Sequence, residues 1–169
     1  SIEIDPHVLF GAVRRVAFAA ATEGSRPVLT GVQMVLKDDS LVLAAADGFR
    51  LALHEASLGT NVSENISVII PAKTLIELNR LIGDQEESVY LMVNPLKSQV
   101  LFRLSNVEIV SQLVQGTFPN YDQLIPKEYG TRAIVDASDL ARATKVASIF
   151  ARDGSGIVRV QITSGDGDN

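Results

Sequence analysis

The feature that most constrains the fold is a pattern that occurs three times, at intervals of about 65 residues. Each copy contains a short β run, a helix-opening Asp, Pro or Ser, and then apolar residues at helical spacing. Leu9, Leu75 and Leu140 mark the equivalent positions. Similarity at a fixed period indicates that one supersecondary unit recurs along the chain.

Apolar residues at positions i, i+3, i+4 and i+7 form one face of an α-helix. The apolar faces consist of Leu9, Val13, Val16, Ala17 and Ala20 in the first copy, Leu75, Leu78 and Ile82 in the second, and Leu140, Thr144, Ala147 and Ala151 in the third. These faces predict helices over residues 6–22 and 73–83, and a third helix in the last copy.

Three β-rich segments follow each of the first two helices. They cover residues 31–36, 41–46 and 49–54 in the first copy, and residues 89–93, 99–104 and 107–114 in the second. Each unit is therefore β-α-β-β-β, and its amphipathic helix must cover the apolar face of its sheet. We expect an α+β fold in which two antiparallel helices pack on antiparallel sheets.

The third copy lacks the later strands of the other two. It offers a β-α-β pattern that ends with residues 157–162, and the polar segment 164–169 follows. We therefore expect a complete domain over residues 1–128 and a truncated part of another over residues 129–169. An incomplete unit of this kind leaves a helix face and a strand edge uncovered.

Composition excludes several classes of protein. The chain has no Cys, which argues against a disulfide scaffold and a zinc-thiolate site. Its longest apolar runs have six residues, too few to cross a bilayer, and its first residues do not form a secretory signal. We expect a cytoplasmic protein without membrane contact, and no motif implies a cofactor or metal.

The charges are distributed unevenly. The formal net charge of −5 argues against binding of nucleic acid by the whole surface. The predicted helices and their caps hold seven basic and four acidic residues, whereas the rest of the chain holds eight basic and 16 acidic ones. Helices on one side of the fold would then present a basic surface to a polyanion. Alternatively, these Arg and Lys residues only keep the helix surfaces soluble.

Three short strings stand out. Asp47-Gly48-Phe49-Arg50-Leu51 is either a plain hairpin turn or a turn that presents an aromatic, a guanidinium and an aliphatic side chain to a peptide. The segment 116–126 has two Pro and two aromatic residues, which suits an ordered connector or a linker. The segment 24–31 is a loop that leads into a strand.

Together these strings resemble the β sliding clamp family, the processivity subunit of bacterial DNA polymerase III. The family motifs R-x-x-L-x-G, A-x-D-G-x-R-L-A and F-P-x-Y-x-x-x-(I/L)-P match residues 26–31, 45–52 and 118–126. The resemblance implies the DNA clamp fold, with a middle domain followed by the start of a third domain. It also explains the duplication, since each domain of the family is built from two such units.

The resemblance implies a homodimeric ring, when full length, that encircles duplex DNA in the cytoplasm, at the nucleoid. Helices line the hole, and binding is independent of DNA sequence. By position Lys73 matches a DNA-facing lysine of the family. The other candidates are basic residues on predicted helices, namely Arg14, Arg15, Arg80, Arg142 and Lys145.

The resemblance also implies a groove that binds linear motifs of the polymerase catalytic subunit, the clamp loader and repair proteins. The matching positions are Arg26, Leu29, Ala46, Gly48, Phe49, Arg50, Leu51, Pro119, Gln123 and Leu124. Leu29, Leu51, Pro119 and Leu124 are expected to form its apolar floor. Ala46 replaces a common Thr and Gln123 a common basic residue. Because the family groove also uses the end of the third domain, we expect weakened peptide binding by these residues alone.

Catalysis has little support, and the resemblance implies a non-catalytic subunit. His7 and His54 have no nucleophile at a recognisable spacing, and no phosphate-binding or dinucleotide-binding glycine motif occurs. One alternative is a small α+β enzyme with a cleft around Asp47, Asp122 and Arg50. Another is a generic oligomeric scaffold, which would not be retained on circular DNA in a salt-dependent manner.

Overall fold

The repeat is present as two successive β-α-β-β-β units in the computed structural model, which describes residues 1–152 and 155–163. The first unit contains β1 (Ile2–Ile4), α1 (Pro6–Val16), β2 (Gly31–Lys37), β3 (Ser40–Ala46) and β4 (Leu51–Ser57). The second contains β5 (Ile66–Pro71), α2 (Ala72–Ile82), β6 (Val89–Val93), β7 (Gln99–Arg103) and β8 (Glu108–Gln112). The predicted α+β class is confirmed.

The two units exchange their first strands. One antiparallel sheet has the order β1-β6-β7-β8, and the other has the order β4-β3-β2-β5. Strand β1 therefore pairs with β6 of the second unit, with Ile2 opposite Leu91. In return β5 pairs with β2 of the first unit, with Ile70 opposite Val32. The expectation that each unit has a sheet of its own is corrected here, because the apolar pattern of a strand does not specify its partner.

The two sheets meet where β5 lies beside β8. The Val114 amide, just after β8, donates a hydrogen bond to the Ile69 carbonyl at 2.9 Å. The hydroxyl groups of Thr74 and Ser111 lie 2.9 Å apart at the same junction. These bonds join the sheets and fix the chain segment that follows β8.

Helix α1 begins with a side-chain cap. Asp5 Oδ1 accepts hydrogen bonds from the amides of His7 at 2.8 Å and Val8 at 3.0 Å, and Pro6 occupies the first turn. The helix ends at Val16 and continues only as a short 3-10 turn over Ala17–Ala19. The prediction of a helix over 6–22 is therefore wrong at its C-terminal end.

The early end of α1 has a tertiary cause. The chain turns away after the 3-10 segment, and the Ala21 amide donates to the Leu29 carbonyl at 2.8 Å. Leu29 lies in a second 3-10 turn, Pro27–Thr30, which leads directly into β2. This pairing outweighs the high helix propensity of the alanines.

The predicted apolar faces of the first two helices form the core. All of their residues are buried, together with residues from both sheets such as Phe102, Leu91 and Met34. The prediction that one apolar face of each helix packs on the sheets is confirmed for these two helices. A main core that contains residues of both units follows from the exchanged strands.

Helices α1 and α2 contact each other and run antiparallel. At one end, His7 Nε2 near the start of α1 lies 3.6 Å from Glu86 Oε2, beyond the end of α2. At the other end, Phe18 just after α1 and Lys73 at the start of α2 line one cavity. The antiparallel arrangement predicted from the sequence is confirmed.

Two predicted strands have different boundaries. Strand β4 begins at Leu51, so Phe49 and Arg50 belong to a turn and not to the predicted strand over 49–54. Strand β8 covers Glu108–Gln112 within the predicted segment 107–114. Before β4 the hydrogen bonds of a turn replace those of the sheet. After β8 hydrogen bonds to neighbouring segments replace them.

The chain divides into two compact units, Ser1–Asp122 and Gln123–Asn169. The second contains α3 (Ala137–Ala151), which Asp136 caps by accepting from the amides of Ser138 at 2.9 Å and Asp139 at 3.0 Å. No residue of α3 is buried. The assignment of residues 1–128 and 129–169 to two clamp domains stays a prediction.

The strands predicted in the third copy are absent. Neither residues 133–135 nor residues 157–162 form a sheet, because no neighbouring strand within the described part of this unit pairs with them. The predicted polar tail, 164–169, lies outside the described residues. Over residues 1–152 and 155–163, no helix combines the length and apolar character needed to cross a membrane.

Candidate functional site

The carboxylate of Asp47 stabilises the turn between β3 and β4. Asp47 Oδ1 accepts hydrogen bonds from the amides of Phe49 at 2.9 Å and Arg50 at 3.0 Å. Gly48 has a φ of 93°, in the left-handed region that favours glycine. The result is a tight turn in which the Phe49 side chain is 100% exposed.

The same carboxylate binds the Arg50 side chain. Arg50 Nε donates to Asp47 Oδ2 at 2.9 Å. The pKa of Asp47 lies below its usual range, chiefly because the Phe49 amide donates to the ionised carboxylate and also because Arg50 does so. Asp47 is therefore ionised at neutral pH, and both of its oxygens are used inside the turn.

The segment between α1 and β2 faces this turn, and the turn and the segment form two walls. In the segment, the Leu29 amide donates to the Arg26 carbonyl at 2.9 Å, and Thr30 Oγ1 donates to the Pro27 carbonyl at 2.7 Å. The Arg26 guanidinium lies beside Gly48, since a β-carbon on that glycine would be 3.9 Å from Arg26 Nη1. The two walls therefore approach each other closely.

The two walls enclose a cavity of about 460 Å³, which we call the groove. Five of the predicted groove residues line it, namely Arg26, Leu29, Gly48, Phe49 and Arg50. Leu29 is only 6% exposed and gives the groove an apolar floor. Residues 20–23, with Ser25 and Asp47, complete the lining and were not among the predicted groove positions.

Three predicted groove residues of the same compact unit do not line this cavity. Ala46 and Leu51 face each other as a register pair at the base of the turn, where both are half-buried. Pro119 is exposed elsewhere. Of the four residues predicted to form the apolar floor, Leu29 lines this cavity, and the role of the other three stays a prediction. Gln123 and Leu124 belong to the second compact unit, Gln123–Asn169, in which both are exposed.

The segment after β8 is anchored by a small second core. Phe118 packs with Ala44 and Ile69, and its ring meets that of Tyr121 edge to face at 6.3 Å between centroids. Burial and the nearby Asp122 carboxylate raise the pKa of Tyr121. The predicted connector is therefore ordered as far as Tyr121 by apolar contacts.

The exposed side of α1 and α2 carries three of the predicted basic residues. Arg14, Arg15 and Lys73 are exposed, and none of them pairs with an acidic side chain in the part of the chain that the structure describes. Arg14 lies four residues before Phe18, which shares a cavity with Lys73. Arg14 and Arg15 thus lie in the last turn of α1, and Lys73 in the first turn of its antiparallel neighbour α2. We call the exposed side of these two helices the helix face.

Two of the other predicted basic residues are already paired. Arg80 donates through Nε to Glu77 Oε2 at 3.0 Å, and this bond lowers the pKa of Glu77. Arg142 forms an ion pair with Asp139 in the same way, three residues away on α3. Lys145 is exposed on α3. The local charge at Arg80 and Arg142 is accordingly smaller than their residue type predicts.

The helix face also contains apolar side chains that are not among the predicted site residues. Phe18 is 60% exposed and Ile76 53% exposed, and both line a cavity of about 550 Å³ with Lys73. Phe18 is not part of the predicted apolar face of the first helix. An aromatic residue outside that face is the signal in the sequence from which its exposure could be predicted.

The residues of the alternative enzyme hypothesis are not gathered in one cavity. Asp47 and Arg50 line the groove, whereas Asp122 does not. In the described residues, no cluster of three or more His, Asp or Glu side chains has an arrangement that could hold a metal ion.

Comparison with known proteins gives a consistent result. Residues 3–120 match the family described as DNA polymerase III beta subunit, central domain. The beta sliding clamp of Staphylococcus aureus is 36% identical over 166 residues, which cover 98% of this chain and 43% of that protein. The chain thus spans less than half the length of this relative.

Solved structures show the same fold. The DNA polymerase sliding clamp from Bacillus subtilis superposes with a TM-score of 0.84 at 35% identity, over 90% of this chain and 40% of that one. A sliding clamp from Pseudomonas aeruginosa, bound to griselimycin, has a TM-score of 0.79 at 26% identity, over 88% and 40% of the two chains. The chain therefore belongs to the DNA polymerase III beta subunit family, the beta sliding clamps.

Proposed function

We propose that this chain is part of a replication sliding clamp that encircles duplex DNA without reading its sequence. The observation that carries the proposal is the helix face, where Arg14, Arg15 and Lys73 are exposed on two antiparallel helices. Outside the helices the chain is predominantly acidic. A basic face on an acidic protein directs a polyanion to one side only.

The strength of this attraction suits sliding. Within the described residues, only three predicted basic side chains on the helix face lack an ion-pair partner, namely Arg14, Arg15 and Lys73. Arg80 is paired with Glu77. Each phosphate contact adds to affinity and to its salt dependence, so a small number of contacts gives weak binding. Bridging water allows the remaining attraction to persist while the duplex moves.

The groove is proposed to tether partners through short linear segments. Leu29 supplies an apolar floor, and Arg26 and Arg50 supply guanidinium groups that can bind backbone carbonyls or carboxylates of an extended peptide. The proposed partners are the polymerase catalytic subunit, the clamp loader and repair proteins. The remaining predicted positions, including Ala46, Leu51, Pro119, Gln123 and Leu124, stay predictions.

The clamp is proposed to be non-catalytic, homodimeric when full length, and cytoplasmic at the nucleoid. Sliding and tethering require no covalent chemistry. The alternative enzyme would need Asp47 as a reacting group, yet both carboxylate oxygens already bind the turn. Asp47→Asn in the full-length protein separates the two hypotheses. Loss of a chemical activity with an intact fold would favour the enzyme, whereas retained stimulation of polymerase processivity would favour the clamp.

A chimaera tests the DNA-binding role. Residues 3–120 replace the central domain of the Bacillus subtilis clamp, and the product is loaded onto nicked circular DNA. We expect retention on the circle, release when the DNA is linearised, and processive synthesis by the cognate polymerase. The matched control carries Arg14→Glu and Lys73→Glu. If an assembled dimeric chimaera, verified by light scattering, is not retained on circular DNA, the proposal is wrong.

A titration tests the groove separately. Griselimycin is bound to the Pseudomonas aeruginosa relative, and we propose that it also binds this chain at the groove. Binding should be lost or strongly weakened by Arg50→Ala and unchanged by Ile76→Ala, because Ile76 lies on the helix face. Equal affinities of these two variants would contradict the groove assignment.

A further inference from the structure

Phe18 lies outside the groove but contacts Arg50, which lines it. Its ring lies under the Arg50 guanidinium, with 5.7 Å between Arg50 Cζ and the ring centroid. Phe18 itself lines the cavity on the helix face and does not line the groove. The contact of Phe18 with the lining of the groove is therefore its contact with Arg50.

Arg50 is the side chain that connects the two surfaces. Its Nε is bound to Asp47, and its planar guanidinium lies over the aromatic ring, so both the stem and the head of the side chain are fixed. Its two terminal amino groups donate to no protein acceptor within the described residues. They remain available to a ligand.

We propose that Phe18 is a positioning residue that orients the Arg50 guanidinium for an extended peptide in the groove. This inference rests on the proposed tethering function. A free arginine side chain loses rotamer entropy when it binds, whereas a side chain that is already held in place loses less. The ring thus increases peptide affinity without touching the peptide.

The size of the effect follows from the type of contact. The strength of a cation–π contact at an exposed site limits how far the ring can restrain Arg50, so removal of the ring can lower peptide affinity by up to about two- to fivefold. Phe18→Leu removes the ring but keeps an apolar side chain, and Phe18→Tyr keeps the ring. Ile76→Ala is the matched control, because it removes the other exposed apolar side chain of the same cavity without contact to Arg50.

Two measurements on the 169-residue chain test the proposal. The first is the NMR signal of Arg50 Nε–H, which the ring current of Phe18 displaces. Phe18→Leu should abolish that displacement, whereas Phe18→Tyr and Ile76→Ala should retain it. The second is griselimycin affinity, which Phe18→Leu should lower by up to about two- to fivefold while Phe18→Tyr retains it. In an Arg50→Ala background, Phe18→Leu should have no further effect.

The outcomes are distinguishable. An unchanged Arg50 signal in Phe18→Leu, or an equal loss of affinity with and without Arg50, overturns the positioning role. If the unsubstituted chain does not bind griselimycin, the groove assignment fails. The NMR comparison then still decides whether Phe18 fixes Arg50. Circular dichroism of each variant confirms that the fold is intact.

Discussion

Gly31 and Ile69 approach so closely that a β-carbon on residue 31 would lie 2.4 Å from Ile69 Cγ2 and 3.1 Å from the Ile70 carbonyl oxygen. Gly31 begins β2, and Ile69 lies on the paired strand β5. The exchange of strands between the two units therefore depends on a residue without a side chain at this point.

We expect Gly31→Ala to lower the free energy of unfolding by about 1–3 kcal/mol, because the added methyl group forces β2 and β5 apart. Urea denaturation measures the change. Gly24→Ala is the control, since a β-carbon added at Gly24 would have no neighbour within 4 Å. Similar stabilities of the two variants would show that the strands adjust without cost.

The cap of α1 gives a second prediction. Asp5→Ala removes the acceptor for the amides of His7 and Val8 and should cost about 1 kcal/mol. Asp5→Asn retains a side-chain oxygen and should cost less. Hydrogen exchange of the first α1 amides measures both. Equal exchange rates in Asp5→Ala and the unsubstituted chain would contradict the capping role.

The turn of the groove should be sensitive to acid. The pKa of Asp47 is lowered, so its stabilisation of the turn is complete above the unfolded value of about 3.9 and is lost as the pH falls through the lower folded pKa. In an acid titration, the amide signals of Phe49 and Arg50 should move with a midpoint below about 3.9. Asp47→Asn should abolish this movement. A midpoint at or above the unfolded value would refute the assigned hydrogen bonds.

The Glu77–Arg80 pair predicts an increase in DNA affinity on mutation. Glu77→Gln removes the partner of Arg80 and leaves a further cation near the helix face, so duplex binding should become tighter and steeper in its salt dependence, by up to about one phosphate contact. Arg80→Gln should change binding less than Lys73→Gln does. Fluorescence anisotropy at several salt concentrations measures all three. Weaker binding by Glu77→Gln would contradict the prediction.

The helices and the order of elements could be predicted because they depend on local patterns. The buried faces of α1 and α2 follow from the spacing of residues such as Leu9, Val13 and Leu75. The motif also predicted the number of strands in the first two copies, although not in the third. These properties are repeated along the chain and need no knowledge of distant contacts.

Other features depend on distant contacts and could not be predicted. Nothing in the sequence of β1 indicates that it pairs with β6, because its apolar alternation suits either sheet. The end of α1 at Val16 depends on the bond between Ala21 and Leu29. Since the predicted helix continued to residue 22, it did not bring Phe18 to Arg50.

The resemblance pointed to five of the residues that line the groove, whereas the other lining residues and the boundaries of the turn could not be predicted from it. Phe49 and Arg50 leave the predicted strand because the Asp47 side chain binds their amides in competition with the sheet. That competition turns the backbone before β4 begins. Leu51 is therefore the first residue of β4 and does not line the groove, whereas the preceding residue Arg50 does.

The exchanged first strands make each half of the duplicated domain incomplete. Ile2–Ile4 forms its ladder only with the second half, and Ile66–Pro71 forms its ladder with the first. Two separate copies of one half would complete each other by exchanging their first strands across a two-fold axis, which would give a domain-swapped pair. The loop between Ser57 and Ile66 is the covalent link that keeps these two halves in one chain. Cleavage within this loop would convert folding into a bimolecular reaction, whose thermal midpoint rises with protein concentration.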